Sequence, residues 1–174
     1  VEILKSHQKT KLDRVSILEN EGYPCYVTSA GWLGYSDKKL QRLCLEAKDN
    51  GFEYVKLKVG KDLKDDMRRL EIARTTLGPD IKIMIDANQV WEVDQAIKWM
   101  KSLAEFDPYF IEEPTSPDDI IGHKKIKDAI YPIKVATGEA VQNRVIFKQL
   151  ISENAIDIVQ VDACRMGGLN EVLA

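Results

Sequence analysis

Charged residues close four short segments of this chain at nearly even spacing: Lys56-Leu57-Lys58, Ile85-Asp86-Ala87-Asn88, Ile111-Glu112-Glu113-Pro114 and Thr137-Gly138-Glu139. Lys58 to Asp86 is 28 residues, Asp86 to Glu112 is 26 and Glu112 to Glu139 is 27. A further strand-like run over 156–162 ends in Asp162, 23 residues beyond Glu139. One strand–helix unit uses about that much chain before the next parallel strand begins. The spacing therefore sets each charge at the C-terminal end of a successive parallel strand, where a (β/α) barrel gathers its chemistry.

Glycine, proline and hydrophobic periodicity divide the rest. Residues 1–20 mix charges with sparse apolar positions and predict a solvated helix, which Gly22 and Pro24 break. A first short strand follows over 25–29. Ser36 is placed to cap a helix reaching about Asn50, with Leu40, Leu43, Cys44 and Ala47 on one face and Gly51 at its end. Strand 54–59 then precedes helix 63–77, stopped by Gly78-Pro79, and strand 81–86 precedes helix 93–105 with the stripe Ala96, Ile97, Met100 and Leu103. Strands 109–112, 133–135 and 156–162 lead to helices 119–130 and 144–153 and to a last helix after Gly167-Gly168. Six βα units with short links favour a barrel over an open doubly wound sheet. The expected division is a tail from an upstream segment over 1–22 and strands one to six of a partial (β/α)8 TIM-type barrel over 23–174. A complete eight-fold barrel needs at least about 200 residues. The chain is therefore expected to be a fragment of a longer enzyme, unstable and inactive by itself.

Composition excludes several function classes. A net charge of −3 with interspersed signs offers no basic face for nucleic acid, and no apolar run is long enough to span a bilayer. Cys25, Cys44 and Cys164 are odd in number and lack metal-type spacing. They predict buried or half-buried thiols in a reducing, intracellular compartment, without distinguishing mitochondrion from cytosol.

Lys56 and Lys58 stand two residues apart and so share one strand face, with Val55, Leu57 and Val59 on the other. A strand covered on both sides tolerates two ammonium groups only if its inner face opens on a polar cavity; a solvated edge strand is the alternative. Adjacent cations depress each other's pKa, which would make one lysine a base near neutral pH. Asp86 and Glu112 each end an apolar strand, where an acid needs a hydrogen bond, a partner or a metal. Three acids at one end of consecutive strands repel without a cation between them. Oxygen-only donors favour Mg²⁺ over Zn²⁺. Only one of Glu112 and Glu113 can point inward, and Pro114 predicts extended geometry for Glu113. Asp162 is open to three roles: a fourth ligand, an orienter of a base, or a helix cap. His7 and His123 are expected at the surface, while Trp32 and Tyr35 either line a pocket or pack within their loop.

Together these residues resemble the enolase superfamily, mandelate-racemase-like subgroup, from about Gly22 onward. The resemblance implies that Lys58 is the base with Lys56 beside it, that Asp86, Glu112 and Glu139 bind Mg²⁺, and that Asp162 orients a histidine in a dyad. The dyad histidine and the capping domain of that family have no counterpart among these residues. Four stretches, residues 31–37, 66–69, 113–119 and 142–150, are similar to the L-fuconate dehydratase branch. They imply a hydro-lyase that converts L-fuconate to 2-keto-3-deoxy-L-fuconate, with an acid sugar as its partner and a homo-oligomeric full-length protein. A racemase or epimerase with the same ligands is one alternative; a non-catalytic fragment is another.

Overall fold

The computed structural model describes residues 2–174. Six parallel strands form one sheet in the order of the sequence: β1 (Val27–Gly31), β2 (Tyr54–Lys58), β3 (Lys82–Asp86), β4 (Pro108–Glu112), β5 (Lys134–Thr137) and β6 (Ile158–Val159). Helices α3 (Asp37–Asp49), α4 (Leu63–Leu77), α5 (Val93–Leu103), α6 (Ile120–Ile130), α7 (Arg144–Ser152) and α8 (Leu169–Leu173) each follow one strand. A strand order that never reverses winds one way, as in a barrel; a doubly wound sheet reverses at a switch point. The expected partial (β/α)8 barrel is present, open at β1 and β6. Before it lie α1 (Glu2–Ser6) and α2 (Lys11–Glu21), two helices with no buried residue, where one helix was expected.

Local chemistry sets the helix boundaries. Ser36, Asp62, Asp119 and Asn143 each accept a backbone N–H of the following first turn, capping α3, α4, α6 and α7. Gly78, with φ +82°, ends α4 while its N–H still reaches the Arg74 carbonyl. The outward strand residues Val55, Leu57, Ile83, Ile85, Ile111 and Val135 are fully buried against helix faces such as Leu70, Ala73 and Leu77 on α4 and Ala96, Met100 and Leu103 on α5. Burying each large aliphatic side chain there contributes about 1.5–3 kcal/mol before entropy is counted. A smaller cluster lines the inner face, with Met84 and Phe110 one pleat below Asp86 and Glu112 and Ala136 level with Glu112.

The structure departs from the sequence expectations at several places. β6 pairs over two residues rather than seven, because it has a partner on one side only and the chain turns away at Asp162. β1 lies two residues later than expected. His123 is fully buried, not at the surface: it stands three residues before Ile126 and seven before Ile130, on the inward face of α6. Cys44 is buried as expected, whereas Cys25 and Cys164 are exposed on loops. Glu113 takes φ +45° instead of an extended conformation, despite Pro114.

Candidate active site

Sheet register assembles the charges. Lys58 pairs with Asp86, Asp86 with Glu112, Glu112 with Ala136 and Ala136 with Ile158. Residues opposed in this way project from the same face of a parallel sheet, so these five side chains form one row across the inner face at the C-terminal ends of the strands. Lys56, in register with Met84, lies one pleat below. The pair expected to share a face does so, and the edge-strand alternative is excluded because Lys56 is 6 % exposed.

The lysines and acids form three ion pairs, two of them close. Lys56 Nζ donates to Glu112 Oε2 at 2.5 Å and lies 3.7 Å from Asp86 Oδ2; Lys58 Nζ donates to the same Asp86 oxygen at 2.5 Å. The Lys56 side chain is 7 % exposed and that of Lys58 23 %, so only Lys58 faces the mouth. Burial opposes the charge on Lys56, but its hydrogen bond to Glu112 and the charges of Glu112 and Asp86 win, holding its pKa above the usual lysine value. The mutual depression of two lysines expected from sequence is not what governs Lys56. Burial pushes Glu112 upward, with Asp86 adding to the push, while Lys56 and Gln160 offset it only in part.

Glu112 Oε1 is buried and has no hydrogen-bond partner, an arrangement that costs energy unless something positive or protic meets it. Hard carboxylate oxygens with one buried oxygen unmet fit a small divalent cation such as Mg²⁺. Among the described residues, however, no group of three or more His, Cys, Asp or Glu side chains converges as a metal cage. The two ammonium groups hold Asp86 and Glu112, and Glu139 stands exposed on the loop after β5. That loop begins at Gly138, where φ is +142° and a Cβ would lie 1.9 Å from the Gln160 carbonyl oxygen; only glycine fits.

Asp162 is exposed and accepts the backbone N–H groups of Cys164 and Arg165, so the turn-cap role is the one seen here. Neither histidine reaches the row: His7 is exposed before α2, and His123 Nδ1 donates to the Asp119 carbonyl oxygen at 2.8 Å. Sequence reasoning missed three neighbours. Gln160, on the continuation of β6, works against the upward push on the Glu112 pKa. Gln89, itself at φ +67°, donates through its side chain to buried Glu113 and through its backbone to the Glu113 carbonyl. Arg69, on α4, is fully buried and donates to the Lys58 carbonyl oxygen. An apolar-face position occupied by arginine was the available signal for the last.

Known proteins share this arrangement of strands. Residues 39–174 match the family described as enolase C-terminal domain-like, and the chain belongs to that family. L-galactonate dehydratase of Hypocrea jecorina is 55 % identical across 100 % of the chain, and mitochondrial enolase superfamily member 1 of Homo sapiens is 51 % identical across 100 %. In both cases the chain spans 40 % of the relative's length. The crystal structure of the human protein superposes with a TM-score of 0.88 over 99 % of this chain and 40 % of that one. L-talarate/galactarate dehydratase from Salmonella typhimurium LT2, solved with Mg and L-lyxarohydroxamate, gives 0.81 at 37 % identity over 86 % of this chain and 38 % of that one. No helix among the described residues is long and apolar enough to cross a membrane.

Proposed function

We propose that this chain is the base-and-metal portion of a Mg²⁺-dependent acid-sugar dehydratase, a hydro-lyase. The observation that carries the reading is the row Lys58, Asp86 and Glu112 at the strand ends, with an unmet oxygen on Glu112. In a protein of the relatives' full length, Asp86, Glu112 and Glu139 would hold the cation. When bound, Mg²⁺ supplies positive charge for the substrate carboxylate and for the negative charge that gathers on it.

The chain's own residues divide the remaining work. Lys58, in its neutral form, takes the proton from C2 of the acid sugar, and its partial exposure gives substrate access. Lys56 stays protonated between Glu112 and Asp86 and adds fixed positive charge beneath the row. The C2–H electron pair moves into the carboxylate and returns to form the C2=C3 double bond as the C3–O bond breaks and the departing hydroxyl is protonated to water. The resulting enol gains a proton at C3 and loses its 2-hydroxyl proton to become a 2-keto-3-deoxy acid. Asp162 would orient the histidine that delivers that proton, a residue carried elsewhere in the full-length protein.

L-fuconate is the inferred substrate. It is L-galactonate without the 6-hydroxyl, and the two share configuration from C2 to C5, where the chemistry occurs; the relative named for L-galactonate supports the choice. The test is keto-acid formation from each sugar by the full-length protein. The reading expects keto acid from both, with the higher kcat/KM for L-fuconate, and weakened Mg²⁺ binding in Glu112→Gln. An epimer in place of a keto acid would assign the site to a racemase, and no product from either would remove the dehydratase reading.

A further inference from the structure

Arg69 is 1 % exposed, among the most thoroughly buried large side chains of the molecule. Burying a guanidinium is costly unless its donors are met. The neighbouring acid, Asp66, is also fully buried, but the two do not form a close fork: Arg69 Nη1 is 3.6 Å from Asp66 Oδ1, which has no hydrogen-bond partner, and Arg69 Nε is likewise unmet. The guanidinium is turned instead to the backbone. Nη1 donates to the Lys58 carbonyl oxygen at 2.6 Å, and Nη2 to the carbonyl oxygens of Gly31 at 2.6 Å and Trp32 at 3.2 Å. A side chain serving only as half of an ion pair would face its carboxylate at about 2.7–2.9 Å.

Those three carbonyls mark the C-terminal ends of β1 and β2, the edge on which Lys58 stands. The β1–β2 pairing slips between Val27 and Gly31, so the ladder alone does not hold this end in register. Asp66 extends the same connection: its Oδ2 accepts the Gly60 N–H at 2.7 Å and the Trp99 indole N–H at 3.1 Å, pinning the loop after β2 to α5. We propose that Arg69, supported by Asp66, is a positioning residue that fixes the backbone of the Lys58 base by gathering the carbonyl ends of β1 and β2. The proposal rests on Lys58 being the base, as argued above. A misplacement of about 1 Å at a reacting group can cost on the order of 100-fold in rate, which gives the connection functional weight beyond its part in the fold.

Arg69→Met and the conservative Arg69→Lys, made in the full-length protein, test it alongside Lys58→Ala. Each is assayed at a temperature where circular dichroism shows it folded, for kcat, KM and Mg²⁺ affinity. The expected result is a tenfold or greater loss of kcat in Arg69→Met, KM and Mg²⁺ affinity within about threefold of wild type, and partial recovery in Arg69→Lys. A purely structural arginine would lower the melting temperature and leave kcat of the folded enzyme unchanged. If Arg69→Met does not fold, Arg69→Lys decides, since a single ammonium nitrogen cannot occupy the two separate positions of Nη1 and Nη2, and a loss of kcat is still expected. Wild-type kcat in either folded variant overturns the proposal. If Lys58→Ala keeps its activity, the base assignment fails instead, and the two failures are distinguishable.

Discussion

Removing Lys56 should expose how the inner face balances its charges. Glu112 is fully buried, and its ammonium partner lies at 2.5 Å with 7 % of the lysine side chain exposed. Deleting one member of such a pair leaves the other buried and uncompensated, at a cost of about 3–5 kcal/mol, whereas neutral replacements of both of similar volume are often close to neutral. Lys56→Met in metal-free full-length protein is therefore expected to lose about 3–5 kcal/mol, and Glu112→Gln less, because the amide can still meet the ammonium. The double variant should recover most of the loss, giving a coupling of roughly 3 kcal/mol between the two positions. Added Mg²⁺ should stabilise Lys56→Met more than it stabilises the double variant, since ligand bound to the folded state adds stability by mass action and Glu112 would be one of its ligands. Urea unfolding followed by the fluorescence of Trp91 and Trp99, packed 5.5 Å apart, reports all four proteins. Strictly additive losses, with coupling below about 0.5 kcal/mol, would refute the reasoning.

Two further outcomes follow from backbone and burial. Gly138→Ala would drive a methyl into the Gln160 carbonyl and strain φ +142°, so it should cost at least about 2 kcal/mol in urea unfolding; an unchanged midpoint would show that β5 and β6 can separate freely. Burial pushes His123 below the ordinary imidazole value, so the unfolded chain takes up a proton near pH 6.5 that the folded chain refuses. Its contribution to stability is thus complete above about pH 6.5 and is lost as pH falls, with a slope of at most about 1.4 kcal/mol per pH unit. His123→Phe should flatten the dependence between pH 7 and 5, and an identical slope in the variant would place the titration elsewhere.

The sequence was most readable where geometry follows from spacing alone. Period-two alternation around Lys56 and Lys58, and one acid per strand–helix unit, were enough to place Lys58, Asp86 and Glu112 in one row. The same pattern could not rank the two lysines, because their difference in exposure comes from neighbouring strands: Asp86 and Glu112 close over Lys56 and leave Lys58 at the mouth. His123 was misread through its charged neighbours, although its spacing to Ile126 and Ile130 marked the inward face of α6. β6 was overextended because 156–162 alternates well, yet strand pairing needs a partner, and here only β5 supplies one. Gln160 and Gln89 carry no local signature, and Arg69 only its place on the apolar face of α4. Their importance lies in contacts with residues between 11 and 48 positions away, which only the folded chain brings together.

The most direct test of the central claim is exchange of the substrate's C2 proton with solvent. The full-length protein, incubated with L-fuconate and Mg²⁺ in D₂O, is followed by proton NMR for loss of the C2 resonance and appearance of the keto acid. Lys58→Ala should abolish both, while chelation of Mg²⁺ should slow both together. Exchange at the wild-type rate in Lys58→Ala would contradict the assignment of Lys58 as the base.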